Sequence, residues 1–195
     1  MSAADKTPCS FSIQVPEGDN RKRSVCDICG FIDYMNPKIV VGLVCSWRED
    51  ELLLCRRAIE PQVGFWTLPA GYLECGEAPD VGACREAEEE AGAQVEIDQL
   101  LAVYTVHRIS QVQMFYRARL RTSKLVCGPE SQEVGLFRYE QVPWGELAFP
   151  TVHWALRHHR EVRKKAVFAP FSNPAGGTGA YSELEQLAAA GGAAR

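Results

Sequence analysis

Gly71-Tyr72-Leu73-Glu74-Cys75-Gly76-Glu77-Ala78-Pro79-Asp80-Val81-Gly82-Ala83-Cys84-Arg85-Glu86-Ala87-Glu88-Glu89-Glu90-Ala91-Gly92 decides how this chain folds. Its second half reads as a helix. Pro79 stands where a first-turn proline is tolerated, because its missing N–H would have no helical partner anyway. Gly92 is placed to close the helix as a left-handed residue. Glu86, Glu89 and Glu90 are spaced i, i+3 and i+4, so at about 100° per residue they project within one arc of about 100°. Val81, Cys84, Ala87 and Ala91 fall on the opposite face, small enough to let the helix lie close against a sheet. Ahead of the helix, Pro69-Ala70-Gly71 reads as a sharp turn into the loop.

Like charges stacked on one face weaken an isolated helix by a few tenths of a kcal/mol per pair, roughly. A cation resolves that conflict. Hard carboxylate oxygens suit Mg2+ or Mn2+, and Mg2+ is commonly held by a few carboxylates together with substrate phosphate oxygens. A solvated acidic face is the usual explanation of a glutamate run. Against it stands Arg85, four residues before Glu89 and placed to clamp the cluster.

The remaining composition narrows the setting. A chain of 195 residues holds one domain with a sizeable core and short appendages. Its 46% apolar and 24% charged content is that of a globular protein, and its net charge of −4 offers nucleic acid or membranes no general attraction. No apolar run reaches the roughly eighteen residues that span a bilayer. The N-terminal Met-Ser-Ala-Ala-Asp-Lys-Thr-Pro lacks an apolar signal core, and the fold begins too early for a transit peptide. Cys45, Cys55, Cys84 and Cys127 are scattered through predicted strands and the helix, as buried reduced thiols are. A cytoplasmic enzyme is the expectation.

Three regions follow along the chain. Residues 1–36 form a polar appendage in which Cys26-Asp27-Ile28-Cys29-Gly30 is half of a zinc-ribbon site. Upstream only Cys9 is available, so Zn2+ on Cys9, Cys26 and Cys29 is the weaker reading and a remnant hairpin held by packing the stronger. Residues 37–172 form the core domain. Strands are expected at 39–47, 51–57 (turning through Arg48-Glu49-Asp50), 94–97, 100–107, 113–121 and 134–139, with a second helix at 151–165. That order gives an α/β fold, an α/β/α sandwich around a mixed sheet. Residues 173–195 are rich in Gly and Ala and read as a disordered tail apart from a short helix near 182–190.

The run from Gly71 resembles the Nudix box, G-x5-E-x7-R-E-U-x-E-E-x-G-U, with Gly71, Glu77, Arg85, Glu86, Ala87, Glu89, Glu90, Gly92 and Ala93 at its fixed positions. The lead-in Gly64-Phe65-Trp66-Thr67-Leu68-Pro69-Ala70 is also similar to that of Nudix hydrolases. The resemblance implies a Nudix sandwich preceded by a degenerate zinc-ribbon-like hairpin. It implies metal-dependent hydrolysis of a nucleoside diphosphate linked to another group. Glu86, Glu89 and Glu90 would then hold Mg2+ (or Mn2+), with the Gly71 carbonyl as a further ligand, and Glu77 and Arg85 would fix the loop. Glu90, Glu130 and Glu133 stand as alternatives for the general base.

For the substrate, Arg56 and Arg57 end a strand beside the box and are candidates to grip phosphate, with a surface ion pair as the rival reading. Trp66 and Phe65 are candidates to stack on a ring, with a core role as rival. Tyr104, His107 and Phe115 lie on strands expected to face the cleft. His153, His158 and His159 share a helix with Arg157, Arg160, Arg163, Lys164 and Lys165, a charge run that reads as a solvated face.

Residues 13 to about 170 are similar to a subgroup linked to FAD and ADP-ribose pyrophosphatase activity, including plant-type FAD diphosphatases. Ser110-Gln111-Val112-Gln113-Met114-Phe115 lacks the prolines and tryptophan of NADH pyrophosphatases. Decapping, nucleotide sanitation and a non-catalytic ligand-sensing role remain the alternatives. The partner implied is a small nucleotide, without membrane or nucleic acid. The resemblance also admits a homodimer, with the alternating strand 114–120 as its interface.

Overall fold

The structure is a computed structural model and describes residues 9–48 and 51–192. The expected turn through Glu49 and Asp50 and the reading of the leader on residues 1–8 lie outside the described residues. The chain divides into two compact units, Met1–Pro37 and Lys38–Arg195.

In the first unit, strands β1 (Phe11–Gln14), β2 (Arg23–Cys26) and β3 (Ile32–Asp33) form an antiparallel sheet in that order. The Pro16 to Asn20 link turns because Gly18 adopts φ 82° and the Asp19 carboxylate accepts the N–H groups of Asn20 (2.6 Å) and Arg21 (3.1 Å).

The second unit carries strands β4 (Lys38–Trp47), β5 (Glu51–Arg57), β6 (Trp66–Thr67) and β7 (Ala70–Tyr72), then helix α1 (Pro79–Ala91). Strands β8 (Val95–Val106), β9 (Gln111–Leu120) and β10 (Ser131–Arg138) follow, then helices α2 (Pro150–Val162) and α3 (Leu184–Gly192). The mixed sheet runs β10-β5-β4-β9-β8, with β6 on β5 and β7 on β4. The β4–β9 pair is parallel, and the other pairs are antiparallel.

Period-two alternation divides the strands between two cores. Val41, Leu43, Cys45, Leu53 and Cys55 face α1 and meet Ala83, Ala87 and Ala91, whereas Val44, Leu52 and Leu54 face α2 with Trp154, Ala155 and Leu156. Helices on both faces of one sheet make the expected sandwich. The stripe of α1 that meets the sheet is Ala83–Ala87–Ala91, at i+4 spacing, and not the one expected. Val81 is exposed and Cys84 only half-buried. Rotating the helix onto its alanines brings it closest to the sheet, and it carries Glu90 into the buried margin.

Two expectations about strands change. Residues 95–106 form one strand with bulges at Ile97/Gln99 and Leu100/Ala102, where two strands were expected. Strand β9, expected to offer an interface, lies between β4 and β8 with both edges paired. Its alternation instead divides Met114, Tyr116, Ala118 and Leu120 from Phe115 across the two cores.

The Gly- and Ala-rich segment is packed rather than disordered through residue 192. Phe171 bridges to the sheet, accepting from Val103 N–H (2.9 Å) and donating to Leu101 O (2.9 Å). Asn173 continues the pairing with its side chain, which bonds both the N–H and the C=O of Thr105 at 2.8 Å. A 3-10 turn at Tyr181–Glu183 leads into α3, and Arg157 donates to the Leu187 carbonyl. The small residues are what allow this docking: a Cβ on Gly191 would sit 2.4 Å from the Trp144 ring. Among the described residues no helix is long and apolar enough to cross a membrane.

The loop between β9 and β10 closes the C-terminal end of α1. Val126 N–H donates to Ala91 O (2.9 Å) and Gly128 N–H to Glu90 O (3.0 Å), satisfying carbonyls that a helix end leaves open. A Cβ on Gly128 would lie 1.7 Å from the Glu89 carbonyl oxygen. Gly128→Ala is therefore expected to destabilise the protein by about 2–3 kcal/mol, as overpacking against backbone does. A urea midpoint equal to that of the wild type would show that the loop yields freely.

Candidate active site

Residues 69–73 do not form the sharp turn expected of Pro69-Ala70-Gly71. They run extended along β4, with Ala70 opposite Gly42, Gly71 opposite Val41 and Tyr72 opposite Val40. Leu43 N–H donates to Pro69 O and Leu73 N–H to Ile39 O, each at 3.0 Å. Gly71 is needed for close approach: a Cβ there would stand 2.3 Å from the Glu86 carboxylate.

Arg85 organises the loop and helix. Its Nε and Nη2 donate to the Glu77 carboxylate at 2.9 and 3.1 Å, and Nη2 also donates to Tyr72 O at 3.1 Å. Its Nη1 donates to Glu86 (2.8 Å) and Glu89 (3.0 Å). Each guanidinium nitrogen is thus engaged, a fork that lysine could not reproduce. The Arg85 bond holds the Glu77 carboxyl below its usual range.

The remaining charge is not so well met. Glu86 is raised by burial against the pull of Arg85. Glu90 is only 6% exposed, and its carboxyl is pushed up to about 8, first by burial and then by Glu86. The Ala70 N–H and Arg57 pull the other way. Glu90 Oε2 has no hydrogen-bond partner among the described residues. Glu88, Glu89 and Glu90 also occupy the last turn of α1, which carries no basic residue and is the negative end of the helix dipole.

Burial, neighbouring charge and dipole all oppose a carboxylate here, and a divalent cation would reverse each of them. The all-oxygen donor set of Glu86, Glu89 and Glu90 fits a hard cation such as Mg2+ or Mn2+. In this arrangement Arg85 stands between Glu86 and Glu89, and no group of three His, Cys, Asp or Glu side chains among the described residues converges as a metal cluster.

These groups line one cavity of about 790 Å3, together with Gly71, Arg57, Phe115 and Glu130. Phe115 reaches it from β9, packed on the Tyr104 ring with centroids 5.9 Å apart. Arg57 donates to Pro61 O (2.8 Å) and lies over the Phe149 ring. Arg56, its neighbour on β5, points to the other face, as alternation requires. It bonds Gly64 O at 2.9 Å and sits 3.7 Å from Glu133, and neither Arg56 nor Glu133 lines the cavity. Glu133, expected in a loop, lies on β10 beyond a register shift. Trp66, a candidate for ring stacking, is buried in the α2-side core edge-on to Phe137 and is absent from the cavity wall.

Tyr104 is also core, its hydroxyl 2.7 Å from His158 Nδ1; His153 is buried where a solvated helix face was expected, and His159 is buried on the side of α2 that carries Val152, Ala155, Leu156 and Val162. The wall includes Arg108, Phe149 and Tyr181, none of which was singled out from sequence. An isolated tyrosine in a Gly- and Ala-rich stretch was the available signal.

The N–H groups of Cys29 and Ile28 point at the Cys26 sulfur and hold its pKa down, with Cys9 beside it. Gly30, at φ 72°, closes the knuckle through a 2.9 Å bond to Cys26 O.

Comparison with known proteins agrees with this geometry. The family model of the NUDIX domain matches residues 36–159, and that described as Nudix N-terminal matches residues 9–35. A crystal structure of a NUDIX hydrolase from Nitrosomonas europaea is similar at 41% identity, covering 88% of this chain and 98% of that one, with a TM-score of 0.79. An ADP-ribose pyrophosphatase of Methanocaldococcus jannaschii is 28% identical over 60% of this chain and 69% of its own length. A NAD-capped RNA hydrolase of Photobacterium profundum is 30% identical over 40% of this chain, which spans only 28% of that relative.

Proposed function

The chain belongs to the Nudix family of hydrolases, and from that premise we propose that it cleaves the diphosphate bond of FAD, giving FMN and AMP, or of ADP-ribose, giving AMP and ribose 5-phosphate. The observation that carries this reading is Glu90: a buried carboxylate with one oxygen unpartnered among the described residues, beside Glu86 and bare Gly71, in a cavity large enough for a nucleotide.

Glu86, Glu89 and Glu90, with the Gly71 carbonyl, are the groups that would hold Mg2+ or Mn2+. A cation held there would offset the charge of the diphosphate and would polarise the attacking water. Arg85, held by Glu77 and Tyr72 O, bonds Glu86 and Glu89 and keeps both on the cavity side of α1, and its Nη1 would have to yield them to a cation. Arg57, on the same wall, is placed to meet a phosphate oxygen. Glu130 lines the cavity as Glu133 does not, and it is the favoured acceptor for the proton of the attacking water. Its backbone is held, since Ala58 N–H donates to Glu130 O at 2.8 Å.

The missing prolines and tryptophan after the box count against NADH, and the relative named as an ADP-ribose pyrophosphatase favours ADP-ribose. Initial rates with Mg2+ on FAD, ADP-ribose and NADH test the reading. FAD or ADP-ribose is expected to be cleaved fastest, with activity lost on adding EDTA. Absence of turnover on both, or faster cleavage of NADH, would overturn it.

A further inference from the structure

The cavity has a second wall, far from glutamate in its chemistry. Phe149, at the N-cap of α2, and Tyr181 stack with centroids 6.3 Å apart and planes 29° apart. The Arg57 guanidinium lies 5.2 Å from the Phe149 ring centre, and that of Arg108 lies 4.8 Å from the Tyr181 ring centre. All four side chains line the cavity that takes in Gly71 and Glu90.

Tyr181 is held there by its backbone surroundings. The Glu183 carboxylate accepts from the N–H groups of Thr178 (2.8 Å) and Ala180 (3.3 Å). Gly179 adopts φ 76° and is packed so that a Cβ would lie 3.1 Å from Val106. Asn173 ties the start of the segment to β8. Yet the tyrosine itself remains 39% exposed. More than a third of the residue's surface thus stays accessible beside the cavity, surface that a purely structural ring would bury.

We propose that Phe149 and Tyr181, flanked by Arg57 and Arg108, bind the adenine ring that FAD and ADP-ribose share, with the diphosphate lying toward the glutamates. The inference rests on the nucleotide reading of this cavity. Aromatic and guanidinium planes both offer stacking faces to a base, and the two cations also counter the charge of the attached diphosphate. Tyr181 then sets affinity for the base and takes no part in breaking the bond. Tyr181 lies outside residues 36–159, so one side of the ring site comes from a segment beyond the matched domain, and Phe149, Arg57 and Arg108 come from within it.

Calorimetric titration with AMP and with ribose 5-phosphate isolates the ring, because the two ligands differ only by adenine. No turnover is needed, so failure of the proposed hydrolysis and failure of this site are told apart. The wild type is expected to bind AMP about tenfold or more tightly than ribose 5-phosphate, in line with base–aromatic stacking. Tyr181→Phe should keep that ratio, and Tyr181→Leu, which still packs, should bring it close to one. Should Tyr181→Leu also lower the melting temperature, Phe149→Leu tests the same ratio from the opposite side of the stack. A ratio near one in the wild type, or one retained in both leucine variants, would overturn the proposal.

Discussion

Glu90→Gln is expected to lower kcat/KM with FAD or ADP-ribose by about 10²–10³-fold, the scale of losing one group that stabilises developing charge. The same substitution should make the metal-free protein more stable. The folded state holds the Glu90 proton up to about pH 8, while the unfolded chain releases it near its ordinary value of 4.5. Folding therefore carries its full benefit from this group below pH 4.5, and loses it progressively as pH rises through about 8. At pH 7 the accumulated loss is about 3 kcal/mol, which glutamine, unable to ionise, does not incur. Opposite signs for activity and stability mark a residue kept for chemistry. Urea unfolding in EDTA and steady-state kinetics in Mg2+ measure the two. A variant that loses stability, or keeps its rate, would remove Glu90 from the site.

Acid should destabilise the fold through His153 and His159. Both are pushed down to about 4, mainly by burial, with Arg157 adding to the shift of His153 and Arg117 and Arg163 to that of His159. Neither ring nitrogen of His153 has a hydrogen-bond partner among the described residues. With folded values below the unfolded 6.5, each contributes stability that is present above pH 6.5 and is lost as pH falls through about 4. Each histidine contributes a slope of about 1.4 kcal/mol per pH unit in that window. Between pH 6.5 and 4.5 Glu90 works in the opposite direction and offsets about one of the two. Relative to the wild type, Glu90→Gln should thus steepen the loss by about 1.4 kcal/mol per pH unit, and His153→Leu should reduce it by about the same amount. Equal slopes in all three proteins would mean that these groups titrate alike in both states.

How far the residues alone led depends on the range of the interactions involved. Helix α1, its Pro79 start and its Gly92 stop were legible because they follow from local geometry, and Gly92 does adopt φ 58°. The pairing of Arg85 with Glu77 and Glu89 lay within one loop and one helical turn. The rotation of α1 onto Ala83, Ala87 and Ala91 was not legible, because it depends on how closely the sheet can be approached. Arg56 and Arg57 looked equivalent in sequence, and only the facing of β5 separates them. Trp66 was misplaced for a related reason: a short strand on β5 turns it inward. Tyr181 depends on Asn173 finding Thr105, a contact 68 residues apart in the chain, which no local pattern announces.

The parallel pairing of β4 with β9 bears on how the protein reaches this state. Lys38 pairs with Gln111 and Ser46 with Arg119, so α1 and its glutamates lie inside the loop that this ladder closes. Closing so long a loop sacrifices chain entropy before any contact repays it, and topologies of this kind fold in roughly milliseconds to seconds. The box helix has weak independent support, with like charges crowded at its end, so it gains its footing only once the central ladder exists. Assembly of the carboxylates is then expected late in folding.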